Sequence, residues 1–183
     1  KTNINIKGIK KQNNYTKIFS FSLKDKTNKI VFENLFFNKE NKLRSFKNAY
    51  FDYLDKENQK NIFNFQNKKN KYFLTGKFYN ASTIIEKLLS IEKETDLNFL
   101  EKKFIFDVNI DKVLLDKETI INSFIGNLSL RNNEIKNASL KAYFKDGKEF
   151  KFTVNSNSKE KTTTFISEYA KPFIKKYKFI QGF

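Results

Sequence analysis

Two kinds of side chain in this sequence have the chemistry that catalysis requires, but neither has the partners that would activate it. Asp107 and Asp111 fall on one face of a predicted strand, where two carboxylates could share acid–base work. A solvent-facing polar row has the same spacing, and we favour it because acid–base catalysis needs a cleft that shifts pKa values. Ser123, Ser129 and Ser167 lack an activating base because the chain contains no His.

The composition removes further classes of chemistry. The 183 residues include no Cys, which excludes disulfides and thiolate metal sites. The absence of His removes the commonest general base and a frequent zinc ligand. No Gly-rich phosphate-binding loop is present. The sequence therefore predicts a protein that is not an enzyme and that has neither a cofactor nor a metal site.

The formal net charge is +16, with 36 basic and 20 acidic residues. Lys scattered over the solvent face of a sheet blocks unwanted edge pairing, although a basic surface also suits anionic lipid headgroups or nucleic acid. A nucleic-acid platform needs aromatic and basic side chains together on one exposed face. Strand alternation places Lys151 opposite Phe150 and Phe152, so we expect no nucleic-acid partner.

The elements that would position these residues are strands, and the clearest lie between residues 104 and 154. Apolar and polar side chains alternate there in four runs, and a period of two places each apolar set on one face of a sheet. The predicted inward face consists of Phe104, Phe106, Val108, Ile110, Phe124, Leu128, Leu130, Leu140, Ala142, Phe144, Phe150, Phe152 and Val154.

Turn signals join these runs to one another. Asp146-Gly147 lies between alternating segments and predicts a two-residue hairpin turn, since Gly tolerates a positive φ. Upstream, residues 1–78 repeat short strands separated by Asn, Lys and Asp turns, although residues 43–54 show no clean period. Such spacing favours antiparallel neighbours in a meander.

Two short helices complete the prediction. The first lies near residues 81–93, with Asn80 or Ser82 as its N-cap and an apolar stripe that begins at Ile84. The second covers residues 163–178, with a kink or a new start at Pro172. Its apolar side, a predicted capping helix over the sheet, consists of Phe165, Ile166, Tyr169, Phe173 and Tyr177.

The predicted fold class is therefore mainly β with two short helices, built on an extended antiparallel sheet. Nine or ten strands make a sheet wider than about 40 Å, and two helices about 20 Å long cannot cover it. The apolar face must curl on itself, meet more protein or bind something apolar. Because the chain lacks Met and begins and ends within strand patterns, we expect it to be one excerpt of a larger protein.

The second half contains four segments in this order: a strand with an Asp-Gly turn (138–148), a strand (150–154), a segment with a single Pro (163–174) and a final apolar segment (177–183). With the strand-to-helix step at 74–85, they resemble the C-terminal region of the AsmA-like family. Asn80 stands where that family commonly has Asp, and the chain ends at Phe183 before the Gly-Gly-Leu type motif. The resemblance covers roughly residues 70–183.

The resemblance implies a large bacterial protein, anchored in the inner membrane and extending through the periplasm. Its architecture is similar to that of the eukaryotic bridge-like lipid-transfer proteins. Residues 1–78 would be repeated strands of a curved groove, and residues 79–183 would be the helix, meander and helix of the C-terminal region. The groove would hold phospholipid acyl chains on the thirteen inward residues during transfer to the outer membrane, while parts outside this excerpt contact the membranes.

Two alternatives stay open. A scaffold or assembly module for outer-membrane biogenesis would carry no lipid and would use the same apolar face as a closed core. A basic surface domain would bind anionic lipid headgroups or, with less support, nucleic acid, with an affinity that falls steeply with salt. The excerpt could line an open groove or form its capped end.

Overall fold

The computed structural model describes residues 1–12, 15–69, 71–82, 103–131, 134–157 and 160–169. Most of them belong to twelve strands of one sheet, which confirms the mainly-β prediction. The strands are β1 (Asn3–Gln12), β2 (Tyr15–Lys24), β3 (Lys29–Asn38), β4 (Leu43–Ser45), β5 (Asn48–Leu54), β6 (Lys60–Lys68), β7 (Lys71–Asn80), β8 (Phe104–Leu114), β9 (Ile120–Arg131), β10 (Glu134–Tyr143), β11 (Glu149–Ser156) and β12 (Lys161–Ser167).

Strand order in the sheet follows the sequence, as expected for a meander. The short strand β4 pairs with one end of β3, and β5 pairs with the rest of it, so the two halves of residues 43–54 lie beside the same neighbour. In the described part of the chain, β1 and β12 form the two edges of the sheet, which is therefore open rather than closed.

One pair of strands departs from the predicted antiparallel meander. Strands β7 and β8 are parallel, with Tyr72 beside Phe106 and Asn80 beside Leu114. A parallel pair needs a crossover of a dozen residues or more, and residues 81–103 are long enough to supply one. The alternation within each strand predicts which face a side chain occupies, but it carries no information on the direction of the neighbouring strand.

The predicted helix over residues 163–178 is wrong where the structure describes it, because residues 161–167 form strand β12. Three consecutive threonines, Thr162 to Thr164, favour an extended backbone, and the segment pairs antiparallel with β11. Phe165 therefore faces Phe152 on the apolar side, whereas Ile166 points the opposite way and is 58% exposed. Phe173 and Tyr177 lie outside the described residues.

The predicted first helix, near residues 81–93, lies almost wholly outside the described residues. Its expected start is described: Asn80 Oδ1 accepts the backbone N–H of Ser82 at 3.1 Å. An N-cap residue makes this bond to the second helical residue, so the contact agrees with Asn80 in that role.

The predicted hairpin between β10 and β11 is confirmed, with Leu140 opposite Phe152. Its loop has three residues, 145–147, which is one more than predicted. The backbone hydrogen bond that closes the loop runs from the N–H of Phe144 to the carbonyl of Lys148, at 2.8 Å. Gly147 has a φ of +85°, the conformation that a three-residue hairpin loop requires at its last position.

A line of irregular positions crosses the middle strands and changes which residues face inward. In β8, Ile110 and Val113 are buried, while Asp111 and Lys112 between them are exposed. The pairing also shifts register at Ile62–Phe63 in β6 and at Lys141–Tyr143 in β10, and Ser123 in β9 has a φ of +53°. β-bulges of this kind bend strands and increase their twist, so they curve the sheet.

Gly126 provides a stability test of this packing. Its φ is +145°, and a Cβ there would lie 2.0 Å from the backbone oxygen of Ser139. We expect Gly126→Ala to lower the unfolding free energy by about 3 kcal/mol or more, because backbone atoms of β10 would have to move. Urea unfolding followed by circular dichroism measures this change.

Gly147→Ala is the matched control, since Gly147 also has a positive φ but nothing lies within 4 Å of the added Cβ. Its expected cost is about 1–2 kcal/mol, the usual strain of a left-handed conformation. Equal costs for the two variants would contradict the close approach of β9 and β10 at Gly126.

Candidate functional site

The thirteen residues predicted to face inward do lie on one face of the sheet. Cross-strand pairs connect them in rows, one of which joins Phe106, Leu128, Ala138 and Val154. Ten of the thirteen are buried, and Phe124, Leu128 and Leu130 are partly buried against the same core. The structure thus confirms their common face, while their contact with lipid stays a prediction. We call this side of the sheet the apolar face.

The apolar face continues into the first half of the chain as a chain of aromatic contacts. Phe21 packs against Phe32, and Phe32 against Phe51, with ring centroids 6.2 and 5.3 Å apart. Further contacts cross β6, β7 and β8, so the rings connect six neighbouring strands in all. The remaining members are Phe63, Phe65, Tyr72, Tyr79, Phe104 and Phe106.

Phe46 lies at the centre of this aromatic chain. It follows β4 directly, and its ring is 4.7 Å from Tyr72 and 6.5 Å from Phe104, measured between centroids. Its backbone N–H donates to the hydroxyl of Tyr72 at 3.4 Å, and burial raises the pKa of that hydroxyl. Phe46 is only 8% exposed, so the break between β4 and β5 places one ring over several strands.

Exposure divides the apolar face into two parts. The side chains on β8, β10 and β11 are almost completely buried, and Val154 and Ala142 have no exposed surface. On β1 to β6 most are only partly buried, and those of the edge strand β1 are 49–65% exposed. We call this second group the open part; it comprises Ile4, Ile6, Ile9, Phe21, Phe32, Phe51, Phe63 and Phe65.

The opposite face is polar and carries the residues with potential chemistry. Asp107 forms an ion pair with Lys71 at 2.7 Å, and Asp111 is exposed, so the two carboxylates do not form a pair. Ser129 is buried, whereas Ser167 accepts the backbone N–H of Tyr169. A shallow cleft of about 490 Å³ lies beside Asp111 and also contacts Asn64, Thr75 and Asn109.

No group of three or more metal-ligating side chains occurs within the described ranges. The clearest pKa shifts among carboxylates belong instead to turns between strands. Asp25 is the strongest case: the Asn28 side chain and the backbone N–H groups of Thr27 and Asn28 lower its pKa from 3.8 to about 2. These hydrogen bonds are structural, because Asp25 holds the β2–β3 turn closed.

Comparisons with known proteins identify no relative. No family model matches the chain, and no curated protein or solved structure is detectably similar to it. In the described residues, no helix has the length and hydropathy needed to cross a bilayer.

Phe46 offers a test of the aromatic chain. We expect Phe46→Ala to lower the unfolding free energy by about 3–5 kcal/mol, because the ring leaves a cavity among Phe32, Phe65 and Tyr72. Thermal and urea unfolding measure the loss. Phe19→Ala, at a site that is 44% exposed, is the control and should cost about 1 kcal/mol or less; similar losses in both variants would contradict the central position of Phe46.

The lowered pKa of Asp25 predicts how stability changes with pH. Because its pKa is lower in the folded state than the ordinary 3.8, its contribution is complete above that pH and is lost as the pH falls to about 2. Asp25→Asn keeps an acceptor oxygen but removes the titration, so the variant should lose less stability over this interval. Acid unfolding followed by circular dichroism tests this.

Asp111→Asn removes an exposed carboxylate on a strand and controls for net charge. The acid-unfolding profile of this variant should match that of the wild type. If Asp25→Asn and Asp111→Asn changed the acid-induced loss of stability equally, a specific role for the Asp25 turn would be contradicted.

Proposed function

We propose that this chain is a segment of a lipid-transfer protein that holds phospholipid acyl chains against its apolar face. One observation carries the proposal: the described residues form a single open sheet of twelve strands with a continuous aromatic and aliphatic face, part of which is accessible among them. Exposed apolar surface of this extent is unusual for a protein without an apolar partner.

The dimensions and chemistry of the open part suit an acyl chain. A ten-residue strand spans about 33 Å, and one acyl chain extends about half of the 30-Å hydrocarbon core of a bilayer. Each buried CH₂ contributes about 0.8 kcal/mol without any directional requirement. Side chains such as Phe32, Phe51 and Phe65 could therefore bind chains of different length and saturation.

The proposal differs from the sequence-based expectation in where contact occurs. Ten of the thirteen residues predicted to line the groove are buried, so in this proposal they form the supporting core. The open part on β1 to β6 supplies the binding surface. This arrangement is compatible with the resemblance to the AsmA-like family, which suggests a periplasmic segment of an inner-membrane protein acting between the two membranes without enzymatic activity.

A second candidate function is a scaffold or assembly module of the cell envelope that carries no lipid. The same burial favours it, because the side chains between Phe104 and Val154 already form a filled core. The two candidates differ in what meets the open part of the apolar face: lipid in the first case and another protein surface in the second.

Photo-crosslinking in cells separates the two candidates. A photoreactive amino acid at Phe65, on the apolar face, should give phospholipid adducts in the full-length protein, detected by mass spectrometry. The matched control is Asn64, the preceding residue, which is exposed on the opposite face. Crosslinks at Phe65 to protein alone would favour the scaffold and overturn lipid binding, as would equal lipid labelling at both positions.

A further inference from the structure

The two ends of the strands carry very different charge. The turns at one end, with the three terminal residues of each adjoining strand, form one rim of the sheet, and the turns at the other end form the second rim. The first rim is made of residues 10–12, 15–17, 36–50, 66–69, 71–73, 103–106, 129–131, 134–136, 154–157 and 160–163. The second is made of residues 1–5, 22–31, 52–62, 78–82, 112–122, 141–151 and 165–169.

The imbalance lies in the acidic residues. Among the described residues, the first rim has fourteen basic and three acidic side chains, and the second has twelve basic and nine acidic ones. The rims are about 30 Å apart along ten-residue strands, several times the Debye length of about 8 Å at physiological salt. An anion near one rim is therefore screened from the other.

Folding of the turns does not require this difference. On the second rim, Asp25, Asp55, Asp116 and Asp146 each accept a backbone N–H within their turn. On the first rim, asparagines make the same contact: Asn38 accepts the N–H of Glu40, and Asn157 accepts that of Glu160. Either residue type closes such a turn, so Asn in place of Asp removes negative charge at no cost in geometry. We name the two the Asn rim and the Asp rim.

Several lysines on the Asn rim are available to a ligand. Lys10, Lys11, Lys39 and Lys69 are exposed, and none forms an ion pair with another described residue. Lys10, Lys11 and Lys69 have no acidic neighbour in sequence, although Lys39 adjoins Glu40; on the Asp rim, the turn lysines Lys26, Lys56, Lys117 and Lys145 each adjoin an Asp. The local fields of the two sets therefore differ although their exposure is the same.

We propose that the Asn rim binds the phosphate headgroups of phospholipids whose acyl chains lie on the apolar face, and that it selects anionic over zwitterionic lipids. This inference rests on the proposed function, since acyl chains on the sheet place their headgroups at a rim. A zwitterionic headgroup carries its own ammonium, which the lysines repel, whereas an anionic one gains from every lysine nearby. Selection thus follows from net charge, without a shaped pocket.

The experiment compares binding of acyl-labelled phosphatidylglycerol and phosphatidylcholine, with identical chains, to the full chain. The wild type should bind phosphatidylglycerol at least about fivefold more tightly, the effect of one lysine near an anionic lipid surface. Replacing Lys10, Lys11, Lys39 and Lys69 together with Gln should abolish this preference and leave phosphatidylcholine binding unchanged. Adding salt should reduce the preference in the wild type.

The matched control replaces Lys26, Lys56, Lys117 and Lys145 with Gln, which changes the net charge by the same amount on the Asp rim. It should keep the wild-type preference. An equal loss in both variants would overturn the inference, because overall charge would then explain it. Saturable binding of glycerol 3-phosphate alone at the Asn-rim lysines would also overturn it, since the ligand would then be a soluble phosphate.

A second pair of variants tests the rims without removing lysines. Asn38→Asp with Asn157→Asp keeps both turn contacts and should weaken phosphatidylglycerol binding, whereas Asp25→Asn with Asp116→Asn should not. Binding of both lipids without preference would overturn the role of the Asn rim and leave the proposed function intact. Binding of neither lipid by the folded wild type would overturn the proposed function itself.

Discussion

A single-layer sheet has two faces, and only one of them can be solvated at low cost when the other is lined with aromatic rings. This constraint accounts for the buried position of Phe46 and for the curvature of the strands. Phe46 turns in from the break between β4 and β5, and its ring contacts side chains of β3, β6, β7 and β8. Register shifts at Ile62–Phe63 and Lys141–Tyr143 mark bulges, which curve the strands. The apolar surface that remains accessible on β1 to β6 is where a ligand would lower the free energy further.

Much of the fold could be predicted from the period of two. The run from Phe104 to Ile110 and the run from Phe150 to Val154 both place their apolar side chains inward, as expected. The parallel contact of β7 and β8 could not be predicted, because alternation is the same in either direction. The spacing of the aromatics predicts a helix over residues 163–178, but the three threonines and the free edge of β11 favour a strand at Lys161–Ser167.

The candidate site was only partly predictable for a related reason. Alternation shows which face Phe152 or Leu140 occupies, but it does not show how much of that face is covered. Exposure depends on the packing of distant residues, and Phe46 had no recognisable signal before the β4–β5 break was known. The charge of the rims was hidden as well, since it depends on which end of the sheet each turn reaches. The direction of every strand, including the parallel pair, has to be known before Asn38 and Asp25 can be assigned to opposite rims.

The most direct measurement of the central claim is native mass spectrometry of the chain, purified from bacteria without detergent, followed by lipid extraction. If the apolar face binds acyl chains, the folded protein should carry phospholipid in a defined ratio, and anionic species should be enriched over their share in the source membrane. A folded protein that appears only at its bare mass, with no extractable phospholipid, would contradict the account and would leave the apolar face to a protein partner.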